Sequence, residues 1–338
     1  MPGFQDVIGQ EPIKEHLQNA VRSGHVSHAY MLQGEPESGK AMIADIFATA
    51  LVCEEVHEHP DTSPLPCEQC RACHQAEGRN HPDIIYVQHE KPNVITVDEI
   101  RSYVTGDVSI KPYQSDRKIY IIPDAEKMNL QAQNALLKTL EEPPEYVVII
   151  LLCSNANAML PTIMSRVVLL NTKPVSDALV KKYLLKNINM PAYRVDLCVS
   201  FARGNIGKAK MLAEDEEFDR IREEAIHLMR NIGSMELPEL VKEVKHIGEY
   251  HMPVEDYLDL LAVWYRDILL FKATCDPNHL IFSEEIQYIK KVAAMVSYEG
   301  LEEIIISLDK AKQRIRANVN FELTMELFLM TVRDYMNF

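Results

Sequence analysis

A seven-residue segment, Gly-Glu-Pro-Glu-Ser-Gly-Lys at positions 34–40, constrains the fold more than any other part of this sequence. It matches the pattern G-x-x-x-x-G-K, and it stands between an apolar run and a helical pattern, which is the context the motif requires. In that context the backbone N–H groups surround a phosphate and the lysine reaches its outer oxygens. The segment predicts a phosphate loop with Gly34, Gly39 and Lys40 as nucleotide contacts. A tight strand-to-helix turn without a ligand is the alternative.

The first part of the chain alternates short apolar runs with amphipathic helical patterns. Nearly continuous apolar runs are typical of strands that are buried on both faces, and their alternation with helices indicates a parallel α/β sheet with helices on both sides. The runs lie at 29–33, 84–87, 119–122, 147–153 and 167–170.

The character of the sequence changes after Lys173-Pro174, and only helical patterns follow. A break at Asn231-Ile232-Gly233-Ser234 separates two helical blocks. We therefore predict an α/β domain over residues 1–172, a helical domain over 173–232 and a second all-helical domain over 233–338.

The phosphate loop lacks the groups that handle a metal ion during hydrolysis. A working loop carries Ser or Thr after the lysine, because that hydroxyl binds Mg²⁺, but position 41 is alanine. A competent site also has a strand that ends in Asp-Glu, whereas the run 119–122 continues into Pro123 and Asp124. We expect any nucleotide to bind weakly, or as a structural element, and not to be hydrolysed.

Four of the seven cysteines cluster at Cys53, Cys67, Cys70 and Cys73. Four thiolates suit tetrahedral Zn²⁺, and an odd cysteine count fits a metal site in a reducing compartment better than a disulfide framework. We predict a structural zinc module at about 53–74, inserted after the helix that follows the phosphate loop. Three histidines are rival ligands, and free surface thiols are the simpler alternative; the histidines are His57, His59 and His74.

The charge balance argues against a protein that coats nucleic acid by itself. The chain carries 35 Lys and Arg against 50 Asp and Glu, a net charge of −15, and phosphate binding depends on an excess of basic side chains. No apolar run approaches the roughly 20 residues that cross a bilayer. No signal-peptide pattern is found either, so we expect a cytoplasmic location.

These segments together resemble the clamp-loader branch of the AAA+ ATPases. The motifs that carry the resemblance are Val-Ile-Gly-Gln at 7–10, His-Ala-Tyr at 28–30, Asn-Ala-Leu-Leu-Lys-Thr-Leu-Glu-Glu-Pro-Pro at 134–144 and Ser-Asn at 154–155. The resemblance implies a RecA-like AAA+ domain with a zinc insertion, a helical lid and an all-α collar that joins subunits.

The segment Pro-Thr-Ile-Met-Ser-Arg-Val at 161–167 resembles the Ser-Arg-Cys motif of that family. In the family this arginine reaches across an interface to the ATP of the neighbouring subunit, so the resemblance implies that Arg166 is an arginine finger in trans. A helix-end arginine that pairs with a local carboxylate is the alternative. At the start of the lid helix, Gly207 stands where active members carry arginine, with Lys208 beside it.

The resemblance implies a non-hydrolysing subunit of the DNA polymerase III clamp loader, in the replisome at the nucleoid, with no independent catalytic site. Its implied partners are the tau/gamma and delta subunits, and through the complex the sliding clamp and primer–template DNA. An active ATPase motor of the tau/gamma kind is one alternative. A free-standing zinc-dependent nucleic-acid binder is another, which the net charge of −15 opposes.

Overall fold

The computed structural model describes residues 2–59, 62–89, 91, 93–317 and 319–336. The chain divides into two compact units, which are described separately. The first comprises Met1–Leu179 with Asn205–Lys208, and the second comprises Val180–Gly204 with Ala209–Phe338.

A five-stranded parallel sheet forms the centre of the first unit. Its strands follow the spatial order β2-β3-β4-β1-β5, and every pairing in it is parallel. The strands are β1 Ala29–Gln33, β2 Ile84–Tyr86, β3 Lys118–Ile122, β4 Val147–Cys153 and β5 Val168–Asn171.

Helices cover both faces of this sheet. The α-helices that begin between residues 1 and 179 are α1 Glu11–Ser23, α2 Lys40–Val52, α3 Glu54–Glu58, α4 Arg71–Glu77, α5 Val97–Ile100, α6 Leu130–Glu141, α7 Pro161–Met164 and α8 Asp177–Asn187. A π-helical turn, Arg101–Thr105, extends α5.

The central strand β4 shows why the apolar runs are continuous. Its alternate residues point to opposite faces, as in any strand, and both faces are covered. Ile150 packs in a core with Phe47 of α2, whereas Ile149 packs in the opposite core with Leu136 of α6. All seven residues of β4 are buried, so polar alternation would place unpaired polar groups in the interior.

The second unit is helical throughout its described part. Its remaining helices are α9 Ala192–Ala202, α10 Ile206–Glu214, which begins in the first unit, α11 Glu216–Asn231, α12 Leu237–Ile247, α13 Val254–Thr274, α14 Ile286–Met295, α15 Tyr298–Arg316 and α16 Phe321–Met336. Trp264 on α13 is buried against Phe282 and Tyr288. Among the described helices, none combines the length and the apolar character that crossing a membrane requires.

The predicted fold class, a parallel α/β domain followed by helices, is confirmed. Strand β3 begins one residue before the apolar run, at Lys118. The ammonium group of this lysine is buried but lies 2.7 Å from the Asp107 carboxylate, so the charge is compensated inside the fold. A 3-10 turn, Ile232–Ser234, lies at the position where the sequence predicts a domain boundary. The division of the helices into a lid and a collar stays a prediction.

Candidate functional site

The phosphate loop lies between β1 and α2, where the sequence pattern placed it. Gly39 adopts a φ of +85° immediately before the first residue of α2, a conformation that glycine reaches without strain. The Gly34 N–H donates to the carbonyl of Cys153 at 3.0 Å. A Cβ at Gly34 would lie 1.7 Å from the Thr172 hydroxyl oxygen, so only glycine fits where the loop leaves the sheet.

The side chain of Lys40 is bound to the loop itself. Its Nζ donates to the carbonyl oxygens of Gly34 at 2.5 Å and Glu35 at 2.7 Å. Burial lowers the pKa of Lys40, and the nearby carboxylates of Glu126 and Asp124 act in the opposite direction. Two carbonyl oxygens of the loop therefore hold the ammonium group that would otherwise contact a phosphate.

Ala41 and Pro123, the two positions that lack a metal ligand, line the same cleft of about 400 Å³. This cleft lies at the carboxyl end of β3, beside the start of α2. Asp124 follows Pro123 with a φ of +48°, and its carboxylate accepts a hydrogen bond from Lys127 at 2.9 Å. At positions 41 and 123 this cleft therefore offers a methyl group and a proline ring in place of the oxygen ligands of a hydrolytic site.

Glu126 is a feature of this site that sequence reasoning missed. Its carboxylate accepts a hydrogen bond from the Ser154 backbone N–H at 3.2 Å and another from the Ser154 hydroxyl. Ser154 follows β4, which neighbours β3 in the sheet. Since neighbouring parallel strands end at the same edge, the acidic residues after β3 and the Ser-Asn pair after β4 could have been predicted to meet there.

The structure brings the four predicted cysteines into one group. Their sulfur atoms all lie within 4.8 Å of one another, with separations of 3.9 Å between Cys53 and Cys70 and 3.8 Å between Cys67 and Cys73. Tetrahedral zinc with Zn–S bonds of about 2.3 Å requires sulfurs about 3.8 Å apart. The group therefore has the donor set and spacing of a metal site, and none of the three rival histidines belongs to it.

Backbone N–H groups point at three of the four sulfur atoms of this group. The N–H groups of Cys67, Cys70 and Cys73 donate to the sulfurs of Cys53, Cys67 and Cys70, at 3.5, 3.4 and 3.5 Å respectively. The hydrogen bond from the Cys73 thiol lowers the pKa of Cys53, whereas the same contact raises the pKa of Cys73 and burial raises that of Cys67. A bound metal ion would remove this competition for protons, because it would hold all four sulfurs as thiolates.

Arg166 lies just after α7 with its side chain 36% exposed. Its Nη1 donates to the carbonyl of Thr162 at 2.9 Å and to the Ser165 hydroxyl oxygen at 3.2 Å. Its Nη2 lies 3.1 Å from a carboxylate oxygen of Glu141, the last residue of α6. The local carboxylate pairing considered as an alternative is therefore present, and the side chain remains partly exposed.

The segment at the start of α10 rests on the phosphate loop. The Asn205 side-chain amide donates to the Pro36 carbonyl at 2.8 Å, and its carbonyl oxygen accepts from the Lys208 N–H at 3.1 Å. A Cβ at Gly207 would lie 2.2 Å from the carbonyl oxygen of Glu37. The absence of a side chain at position 207 thus permits a direct backbone contact.

Comparison with known proteins yields two family matches. Residues 9–176 match the family described as DNA polymerase III, delta subunit, and residues 217–334 match DNA polymerase III, delta subunit, C terminal. Among curated relatives, the delta' subunit of DNA polymerase III from Bacillus subtilis is 27% identical over 96% of this chain and 96% of its own length. The Pseudomonas aeruginosa delta' subunit is 25% identical over 90% and 91%. The tau subunit from Bacillus subtilis is 27% identical over 93% of this chain and 58% of its own length.

Proposed function

The chain belongs to the DNA polymerase III delta subunit family of clamp-loader subunits, and we propose that it acts as a delta'-type subunit. In this role it supports ATP-dependent loading of the sliding clamp, hydrolyses no ATP itself and supplies Arg166 to a neighbouring ATPase. The observation that carries this proposal is the cleft shared by Ala41 and Pro123. Two oxygen ligands for Mg²⁺ are therefore missing, at positions 41 and 123 of the same cleft. The loss of each ligand removes roughly several kcal/mol of stabilisation of the transition state for hydrolysis.

The role proposed for Arg166 rests on its exposure and its chemistry. A guanidinium is permanently charged, and its donors match the oxygens of a phosphate in a bidentate fashion. Its side chain is 36% exposed, so a neighbouring subunit can approach it. The same chain thus combines a deficient nucleotide site of its own with a cation suited to the nucleotide of a partner.

Zinc is the metal that best fits the four-cysteine group. Four sulfur ligands and no other donor in the described group are typical of a structural site, because a catalytic zinc keeps one position for water. We infer that the ion ties the end of α2 to the segment 67–73. Its contribution is to the stability of this module.

The partners that follow from this function are the tau/gamma and delta subunits, and, through the complex, the sliding clamp and primer–template DNA. The net charge of −15 opposes DNA binding by the isolated chain, because an acidic protein and a polyanion repel each other. We therefore assign the DNA contact to the assembled complex. We place this complex in the cytoplasm, at the replisome on the nucleoid.

The decisive experiment reconstitutes the complex with tau/gamma and delta from the same organism and compares the wild type with Arg166→Ala. We expect hydrolysis at the contacted site to fall by about 10³-fold, the lower range for loss of an arginine finger, while size-exclusion chromatography shows unchanged assembly. Arg220→Ala is the matched control, because Arg220 is also exposed and paired with a local carboxylate, that of Glu217 at 2.9 Å. Wild-type turnover in the Arg166→Ala complex would contradict the proposal.

The alternative function, an active motor of the tau/gamma kind, makes a different prediction. It requires steady, DNA-stimulated ATP hydrolysis by the purified chain alone. We expect phosphate release by the isolated chain to stay at background with and without primer–template DNA, because no side-chain oxygen at positions 41 and 123 can hold Mg²⁺.

A further inference from the structure

Three contacts within one small region hold the guanidinium of Arg166. Both Nη1 contacts are to residues of its own turn, the Thr162 carbonyl at 2.9 Å and the Ser165 hydroxyl at 3.2 Å. The third is the ion pair of Nη2 with Glu141 at 3.1 Å, and it is the only one of these three that involves a charge on another helix. A guanidinium has five N–H donors in a fixed plane, so these contacts set the plane and leave donors on Nε and Nη2.

Glu141 occupies an unfavourable position unless a cation is near. It is the last residue of α6, where the helix dipole places partial negative charge, and a carboxylate at that end is destabilising. Two prolines at 143 and 144 prevent the helix from continuing. The ion pair with Arg166 offsets this unfavourable interaction of the Glu141 carboxylate with the helix dipole.

We propose that Glu141 is a positioning residue for Arg166, holding the guanidinium in the orientation in which it meets the nucleotide of the neighbouring subunit. The inference rests on the proposed function of Arg166. An arginine at an exposed turn samples many rotamers, and fixing it before contact reduces the entropy lost when the transition state forms. The local ion pair and the contact in trans are thus two parts of one arrangement, and they do not compete.

The test is a double-mutant cycle in the reconstituted complex with tau/gamma and delta, using Glu141→Gln, Arg166→Ala and the combination of both. Glutamine keeps the size and an acceptor oxygen and removes the charge. We expect Glu141→Gln to lower kcat by about threefold to tenfold, the effect of one partly exposed charged contact, and to leave KM for ATP within about twofold. In the Arg166→Ala background the same substitution is expected to have no further effect, because the group that it positions is gone.

Two further variants separate positioning from a structural role. Glu142→Gln removes the adjacent carboxylate and is expected to leave kcat unchanged. Glu141→Asp keeps the charge with one methylene less, and its kcat is expected to lie between the wild type and Glu141→Gln. Thermal unfolding of each isolated variant checks that the fold is retained.

The outcomes distinguish this inference from the proposed function. If Arg166→Ala lowers turnover but Glu141→Gln does not, or if Glu141→Gln lowers it equally in both backgrounds, Glu141 is not a positioning residue and the role of Arg166 stands. A rise in kcat for Glu141→Gln would also overturn the inference, because the carboxylate would then be a competitor for the arginine. If Arg166→Ala itself has no effect, both the proposed function and the inference fail.

Discussion

The backbone at Gly207 lies so close to Glu37 that a Cβ at position 207 would be 2.2 Å from the Glu37 carbonyl oxygen. The neighbouring Asn205, of which 7% is exposed, reinforces this contact through its hydrogen bond to the Pro36 carbonyl at 2.8 Å. The start of α10 therefore packs directly against the backbone of the phosphate loop. Active members of the family carry arginine at the position of Gly207, and only glycine allows this close contact.

The first prediction concerns this contact. Gly207→Ala forces a methyl group against a backbone oxygen, so we expect a loss of about 1–3 kcal/mol in the free energy of unfolding, the usual range for overpacking. Hydrogen exchange of the amides at position 35 and at 37–40 is expected to accelerate in the same variant. Met211→Ala on the same helix is the control, because Met211 is 54% exposed. Unchanged stability and exchange in Gly207→Ala would contradict the packing described.

The second prediction concerns the cysteine group. Removing zinc with a strong chelator, or replacing Cys70 with serine, is expected to lower the free energy of unfolding by about 3 kcal/mol or more, since metal binding and local folding are coupled. Elemental analysis should give one zinc per wild-type chain and less in Cys70→Ser. Cys275→Ser is the control, because Cys275 is exposed and lies outside the group. A wild-type chain that contains no zinc and ignores chelators would rule out this site.

The third prediction uses a buried carboxylate, that of Asp83. It accepts hydrogen bonds from the backbone N–H groups of Tyr113, Gln114 and Ser115 at 2.5, 2.8 and 2.9 Å. Burial acts to raise the pKa of Asp83, but these donors outweigh it, and the net shift is downward. Asp83→Asn places a neutral amide among donors that need an acceptor, so we expect a loss of about 2–4 kcal/mol in stability at neutral pH.

The pH dependence of this variant follows from the direction of the shift. Because the pKa of Asp83 is lower in the folded protein than its ordinary value of 3.8, its contribution is complete above about pH 4 and is lost as the pH falls through the folded value. The difference between wild type and Asp83→Asn should therefore shrink below about pH 4. Urea unfolding at several pH values measures it. A difference that stays constant with pH would show that the charge of Asp83 is not what stabilises the loop.

Much of the fold was predictable because a strand that is buried on both faces has a continuous apolar run in the sequence. The run 147–153 became a fully buried strand over the same residues. Lys118 shows the limit of that reasoning, because a hydrophobic pattern does not reveal that Asp107, 11 positions earlier, compensates a charge inside a strand. Local apolar content predicts where a strand lies, and long-range pairing decides where it begins.

The candidate site was predictable to the extent that its residues share a motif. The phosphate loop and the four cysteines have fixed spacings, and the structure brings each group together. For Arg166 the alternative of a local carboxylate partner was considered without naming Glu141, and the contact of Glu126 with Ser154 was not predicted. Both contacts join separate elements, so no spacing along the chain indicates them. The Glu126 contact could be predicted only from the expectation that β3 and β4 end at the same edge of the sheet.

The last prediction tests why this phosphate loop is not expected to hydrolyse ATP. Ala41→Thr restores the hydroxyl that a working loop offers to Mg²⁺ but leaves Pro123 in the lining of the same cleft. We expect the isolated variant to bind ATP at least about tenfold more tightly with Mg²⁺ than with EDTA, the effect of one added metal contact of about 1.4 kcal/mol, whereas the wild type shows no such difference. Phosphate release should remain at background, because the strand end still supplies no carboxylate at position 123 and Asp124 is bonded to Lys127. Isothermal titration and a phosphate-release assay measure the two effects separately.

Hydrolysis of ATP by the Ala41→Thr variant alone would mean that the other groups needed for hydrolysis are present in this chain. That result would favour an inactivated ATPase motor over a subunit that acts at the nucleotide site of a neighbour.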